Sequence, residues 1–235
     1  MGILGGELSP SGHPVNYKGD FMNYLEIINK CLIELNYRPV NAFEELTKNE
    51  HKKIMNILNV LNSEICLYEK WNFLIREAEL NLGANLREIS NTVNGRISQV
   101  LIDEIPFLYC DNAGLILAGK YDGKNVYSFK NNKIIFAKSF PQNKTVKVIY
   151  YTYNSVKASG GTEKAKFSLS TDETLLPDPF AEPILVYGTC MRLKGNPQHI
   201  RFNYWLSMYK DALANMVSKY SIDAAFGACV KLRRY

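Results

Sequence analysis

Phe21, Leu25, Ile28, Leu32 and Leu35 recur at steps of three and four, the spacing that lays one apolar stripe along an α-helix. They predict a first helix from about Gly19 to Asn36. Pro39 has no amide proton to donate and drives Arg38 out of helical space, so the helix stops ahead of it. A second stripe, Ile54, Ile57, Leu61, Ile65 and Tyr68, predicts a helix running to about Lys70. Thr47 and Glu50 stand before it at the spacing of a capping box, where hydroxyl and carboxylate each satisfy a free amide. Two such helices form an antiparallel hairpin, closed by the bulk of Trp71 and Phe73.

From about residue 97 the apolar period falls to two, the mark of half-buried strands. Asp122-Gly123 and Asn131-Asn132 suit tight hairpin turns, and the apolar run Gly114 to Ala118 reads as a strand. The stretch KASGGTEKAK reads as a flexible loop. Helix returns after the prolines at 177, 179 and 183, with Asp178 as cap and Pro179 in the first turn. Ile184 to Leu193 is the third helix, ended by Gly195-Asn196-Pro197. Leu206, Tyr209, Leu213, Met216 and Tyr220 stripe a fourth, from about Gln198 to Ser221. The fold expected is α+β: mainly an α-helical bundle of four helices in antiparallel pairs, with an inserted antiparallel β module. Its divisions are an N-terminal extension 1–18, a helical hairpin 19–96, the β module 97–170, a second helical pair 171–225 and a C-terminal tail 226–235.

The net charge of +5 is unevenly spread. Residues 101–166 carry ten basic against five acidic side chains, and every basic one is Lys. A Lys-only set suits diffuse attraction to phosphate or to acidic protein better than bidentate recognition. Lys120, Lys124, Lys130, Lys133, Lys138, Lys144 and Lys147 are therefore candidates to face a DNA channel or an acidic partner; the other reading is a solvated strand face. Tyr interleaved with Lys can also stack on single-stranded nucleic acid, or simply pack across strands.

The residues expected of an enzyme are missing from the pattern. His13, His51 and His199 lie far from one another and from Cys in sequence, so no metal site is assigned. The five cysteines form no CxxC pair, and Cys31 and Cys66 fall on apolar helix positions, as buried free thiols do in a reducing cytosol. SGGTEK lacks the spacing of a phosphate-cradling loop, and neither GxSxG nor GxGxxG occurs. Adjacent acids such as Asp103-Glu104 and Asp172-Glu173 read as caps and loops. No catalytic, cofactor-binding or metal-ligating residue is assigned. No secretory leader is read at the N-terminus, and the apolar runs are too short to span a bilayer.

The opening YLEIINKCLIELNYRPVNAFEEL, the second helix ending in EKWNF, and DPFAEPILVYGTCMRLKGNP before a closing helix resemble the head-to-tail adaptor family of short-tailed bacteriophages, also called tail tubular or tail accessory factor proteins. Trp71-Asn72-Phe73 and Asp178-Pro179-Phe180 carry the likeness most clearly, across roughly residues 20–225. Asn36-Tyr37 departs from the family, which often has Gly there, and residues 1–18 have no counterpart. The resemblance implies a virion structural protein made in the host bacterial cytoplasm and built into the phage neck. It implies a dodecameric ring that binds the portal, extends the channel for double-stranded DNA and seats a tail nozzle or a next ring, with no membrane. The family's C-terminal extension reaches the portal; here the matching residues are Lys231, Leu232, Arg233, Arg234 and Tyr235. The alternative reading is a nucleic-acid-binding accessory protein that uses the Lys-rich β module as its groove.

Overall fold

The computed structural model describes residues 22–222, so the extension 1–18 and the tail 226–235 lie outside the described residues. Helix α1 (Tyr24–Glu34) opens on a capping box: Asn23 Oδ1 accepts from the Glu26 amide at 3.0 Å, and Glu26 Oε2 accepts from the Asn23 amide at 3.0 Å. Helix α2 (Asn49–Tyr68) starts without such a device. Its N-cap is Lys48, one residue past Thr47, so the pair Thr47 and Glu50 falls out of capping register.

The β segment begins at Ile75. Strands β1 (Ile75–Leu82), β2 (Glu88–Ser90), β3 (Gly95–Ile102) and β4 (Ile105–Tyr109) precede helix α3 (Ala113–Leu117). Strands β5 (Val126–Lys130), β6 (Lys133–Phe136) and β7 (Lys144–Thr152) follow it. They form one sheet in the order β1-β7-β3-β4-β5-β6-β2. All pairs are antiparallel except β4 with β5, which run parallel because α3 carries the chain back between them. Edge strands β1 and β2 approach each other, so the sheet is nearly closed. Its interior is filled by Leu82, Val100, Ile102, Phe107, Phe136, Val146 and Val148, among others.

Three two-residue strands, β8 (Val156–Lys157), β9 (Glu163–Lys164) and β10 (Glu173–Thr174), make a second small sheet in the order β10-β8-β9. A π-helical turn (Pro183–Tyr187) then runs into helix α4 (Gly188–Lys194), which stops at Gly195 with φ of 55°. Helix α5 (Phe202–Tyr220) closes the described chain.

This architecture overturns the expected helical bundle with an inserted antiparallel module. A seven-stranded, nearly closed mixed sheet and a second three-stranded sheet stand beside five helices. The sheet starts at Ile75, directly after Trp71 and Phe73. Strand β1 alternates Ile75, Glu77, Glu79 and Asn81 with Arg76, Ala78, Leu80 and Leu82, and only the last two of its inward residues are large and apolar, so no period declares itself. The run Gly114 to Ala118, read as a strand, is helical, started by Asn112 Oδ1 accepting from the Gly114 amide at 2.9 Å. The helices also pack otherwise than as two hairpins. The π turn and α4 form a central rod, with Ile184, Leu185, Val186, Gly188, Thr189 and Cys190 all buried, and α1, α2 and α5 surround it. A segment apolar on every side belongs in the middle.

Two local devices hold the layers together. Gly188 lets α4 approach its neighbours: a Cβ there would stand 2.7 Å from Leu61 Cδ2 and 3.0 Å from Tyr209 Cδ2. Asp172, fully buried, lies beside the start of α1, where its carbonyl accepts from the Tyr24 amide at 2.7 Å. Burial alone would push its carboxyl upward, but the Leu169 amide, the Lys164 ammonium and the Ser168 amide together hold it below the usual aspartate range.

Gly188→Ala is expected to cost about 1–3 kcal/mol by overpacking the rod, read as a lower urea midpoint. Because the folded Asp172 carboxyl titrates below its unfolded value of about 3.9, its contribution is complete above that value and drains away as pH falls through the folded one. Asp172→Asn should lower Tm at neutral pH and flatten the decline of Tm between about pH 5 and pH 3.

Candidate interaction surfaces

Among the described residues, no three His, Cys, Asp or Glu side chains converge as metal ligands would. His51 is buried on α2, and His199 stacks on Trp205 with ring centres 5.1 Å apart. Cys31, Cys66 and Cys190 are buried free thiols. Burial pushes the Cys66 thiol up to about 12, and burial and then the neighbouring Cys190 push Cys31 well up, so neither offers a ready thiolate. Asp103 and Glu104 both adopt positive φ, 53° and 61°, as the two-residue turn that joins β3 to β4. Their role is the turn.

The seven candidate lysines divide into two groups. Lys133 pairs with Glu88, Lys144 with Asp103 at 2.6 Å, and Lys147 with Glu77 at 3.0 Å. Lys138 lies over the rings of Phe107 and Phe140, 5.3 and 5.2 Å from their centres, and donates to Asn125 Oδ1 at 2.6 Å. Lys120, Lys124 and Lys130 are exposed and have no ion-pair partner among the described residues. Four of the set are thus engaged within the barrel, and three are left to face outward. Lys231, Leu232, Arg233, Arg234 and Tyr235 lie outside the described residues.

The barrel mouth carries a groove of about 470 Å³, lined by Asn91, Gly95, Arg96, Ile97, Ser98, Tyr109, Tyr127, Phe129 and Tyr153. A depression of about 220 Å³ adjoins it through Arg96 and Tyr153 and reaches the end of α2 at Cys66 to Lys70. The local backbone explains the arrangement. Ile97 packs inward on the barrel core, and so does Val100, an odd number of residues away. A bulge between Ile97 and Gln99 absorbs the mismatch, leaving Ser98 unpaired and re-aiming the strand at the mouth. Gly95 is required there, since a Cβ would meet the Tyr151 carbonyl oxygen at 2.4 Å. Tyr109, Tyr127 and Phe129 form an aromatic triangle with ring centres 5.6–5.7 Å apart. Burial, and then Tyr109, raise the Tyr127 phenol above its ordinary value.

Two apolar faces of the helices remain exposed. On α2 these are Val60, Leu67 and Tyr68; on α5 and the turn before it, Ile200, Tyr204 and Met208. The barrel adds Ile105, Leu108 and Leu117. Sequence periodicity finds the buried stripes and passes over most of these residues, because a stripe records one face only; Tyr68, counted in the α2 stripe, is instead exposed. Arg96 and Tyr109 were missed too; the signal was the break in alternation across RISQV, which marks the bulge. No protein-family model and no curated protein matches the chain.

Lys138→Ala is expected to lower stability by about 1 kcal/mol through its lost aromatic contacts and stem packing. Lys124→Ala should stay within about 0.5 kcal/mol of the parent. Paired thermal melts check both.

Proposed function

We propose that this chain is a ring-forming virion protein of the phage neck, which connects the portal to the tail and extends the DNA channel, and that it is structural rather than catalytic. The observation that carries the reading is the pair of exposed apolar faces on the helices, Val60, Leu67 and Tyr68 on one side and Ile200, Tyr204 and Met208 on another. A closed ring needs two different faces on each subunit, one for each neighbour. Exposed apolar residues grouped on separate elements suit such a heterologous contact.

The two motifs that carry the family resemblance support the same reading. Phe73, from Trp71-Asn72-Phe73, packs edge-on against Tyr220 at 5.6 Å. Phe180, from Asp178-Pro179-Phe180, packs against the same ring at 5.9 Å. Both meet at the last residue of α5, where Ser221 bridges to Trp71 and the Ile222 amide donates to the Lys70 carbonyl. The motifs therefore anchor the point from which the C-terminal residues depart, and Lys231 to Tyr235 are the proposed portal contact. The barrel, with Lys120, Lys124 and Lys130 unpaired, is the surface offered to the next tail component or, weakly and in a salt-sensitive way, to passing DNA.

Electron microscopy of the full chain mixed with its portal should show a ring added at one end. Leu67→Asp combined with Tyr204→Asp should abolish the ring while leaving the circular dichroism spectrum unchanged, and truncation after Cys229 should abolish portal attachment. A chain that stays monomeric beside its portal, or that attaches equally well without its last residues, would refute the reading.

A further inference from the structure

Arg76, Arg87, Arg192 and Arg201 each hold a carboxylate, whereas Arg38 and Arg96 are exposed and have no ion-pair partner among the described residues, and of these two only Arg96 belongs to the large sheet. It stands in the wall of the barrel-mouth groove, and no Asp or Glu lines that groove. Glu69 lines the adjoining depression that shares Arg96 but is not ion-paired with it, and an exposed, planar cation with no carboxylate paired to it among the described residues calls for an anion. Beside it the aromatic triangle supplies ring faces. Tyr127 is buried as the floor, while Tyr109 and Tyr153 remain 57% and 48% exposed. Phe129 is followed directly by Lys130, another exposed cation without an ion-pair partner among the described residues.

We infer that the barrel-mouth groove binds single-stranded nucleic acid, with a base laid on the exposed Tyr rings and a phosphate held by Arg96. The chemistry narrows the class. Stacking on aromatic side chains beside a cationic track is how single strands are held without sequence preference. A duplex keeps its bases stacked on one another and cannot offer a ring to a recessed Tyr face. The basic excess of residues 101–166 supplies the long-range attraction that a polyanion feels and a single carboxylate peptide scarcely does. The neutral amide of Asn91 and hydroxyl of Ser98 at the rim suit base edges. The inference goes beyond the ring reading and does not depend on assembly.

The test is fluorescence anisotropy on the purified full chain, with no portal present, using labelled oligodeoxythymidylate of about eight nucleotides. Binding is expected, weakening as salt rises. Arg96→Ala and Tyr109→Ala should each weaken it by about tenfold, with the melting temperature unchanged for Arg96→Ala and only modestly lowered for Tyr109→Ala, which loses its two ring contacts. Lys52→Ala, on α2, should leave binding as it was. Free thymidine monophosphate should compete at high concentration if the groove takes one base and one phosphate. Three results would overturn the inference: no binding of the oligonucleotide, equal affinity in the Arg96 and Tyr109 variants, or equal affinity for duplex of the same length. Displacement of the strand by a Glu- and Tyr-rich peptide at lower concentration than unlabelled oligonucleotide would also overturn it, by assigning the groove to a protein partner. Failure here would leave the ring reading standing, since that one is scored by microscopy with the portal.

Discussion

The side-chain amide of Asn62, wholly buried in the middle of α2, is the contact on which the relation between helices and sheets rests. It donates to the Ser155 carbonyl at 2.9 Å and to Ser155 Oγ at 3.1 Å, and accepts from Thr174 Oγ1 at 2.8 Å. Ser155 Oγ in turn donates to the Ala165 carbonyl at 2.8 Å, and Thr174 Oγ1 takes the Leu176 amide at 3.1 Å. One amide thus fastens the helical layer directly to β10 and to the residue before β8, and through Ser155 to the residue after β9. Each such bond is worth only about 1 kcal/mol net, but orphaning any member costs about 1–3 kcal/mol, so the network specifies one arrangement more than it adds stability. Without it the short strands β8 to β10 would have too few ladder bonds to hold their place.

What could be read from the chain beforehand divides along the same line. The stripes of α1 and α2 and the Gly195 stop of α4 were legible because each is local: a period, a proline, a residue that accepts positive φ. The Asn131-Asn132 turn was legible for the same reason, with φ of 50° and 57° joining β5 to β6. The small sheet was not. Its strands are two residues long and owe their existence to Asn62, more than ninety positions earlier in the chain for Ser155. Nor was the central position of the π turn and α4, which depends on Gly188 meeting Leu61 and Tyr209. The Asp103-Glu104 turn hid behind Glu104, a residue type that seldom takes positive φ.

The candidate surfaces follow from how charge and strand geometry were resolved elsewhere. Lys133, Lys144 and Lys147 look free in the sequence, yet each meets a carboxylate from another strand or turn: Glu88 on β2, Asp103 after β3, Glu77 on β1. For Lys147 the hydrogen bond its ammonium donates to Glu77, and then the charge of that carboxylate, raise the ammonium pKa. Such exposed pairs add little stability. Their effect is to leave Arg96, Lys120, Lys124 and Lys130 as exposed cations of this region with no ion-pair partner among the described residues. One of these cations, Arg96, shares the lining of the groove with Tyr109, Tyr127 and Phe129.

The chain enters and leaves the large sheet at one place: Ile75, the first residue of β1, is paired with Tyr151 near the end of β7. Everything between those two residues is a closed excursion from neighbouring starting and finishing points. Lineages are free to enlarge, trim or exchange that excursion while the helical scaffold keeps its shape, because the two attachment points need never move apart. A change of length inside the sheet is thereby absorbed without shifting the helices that hold its two ends.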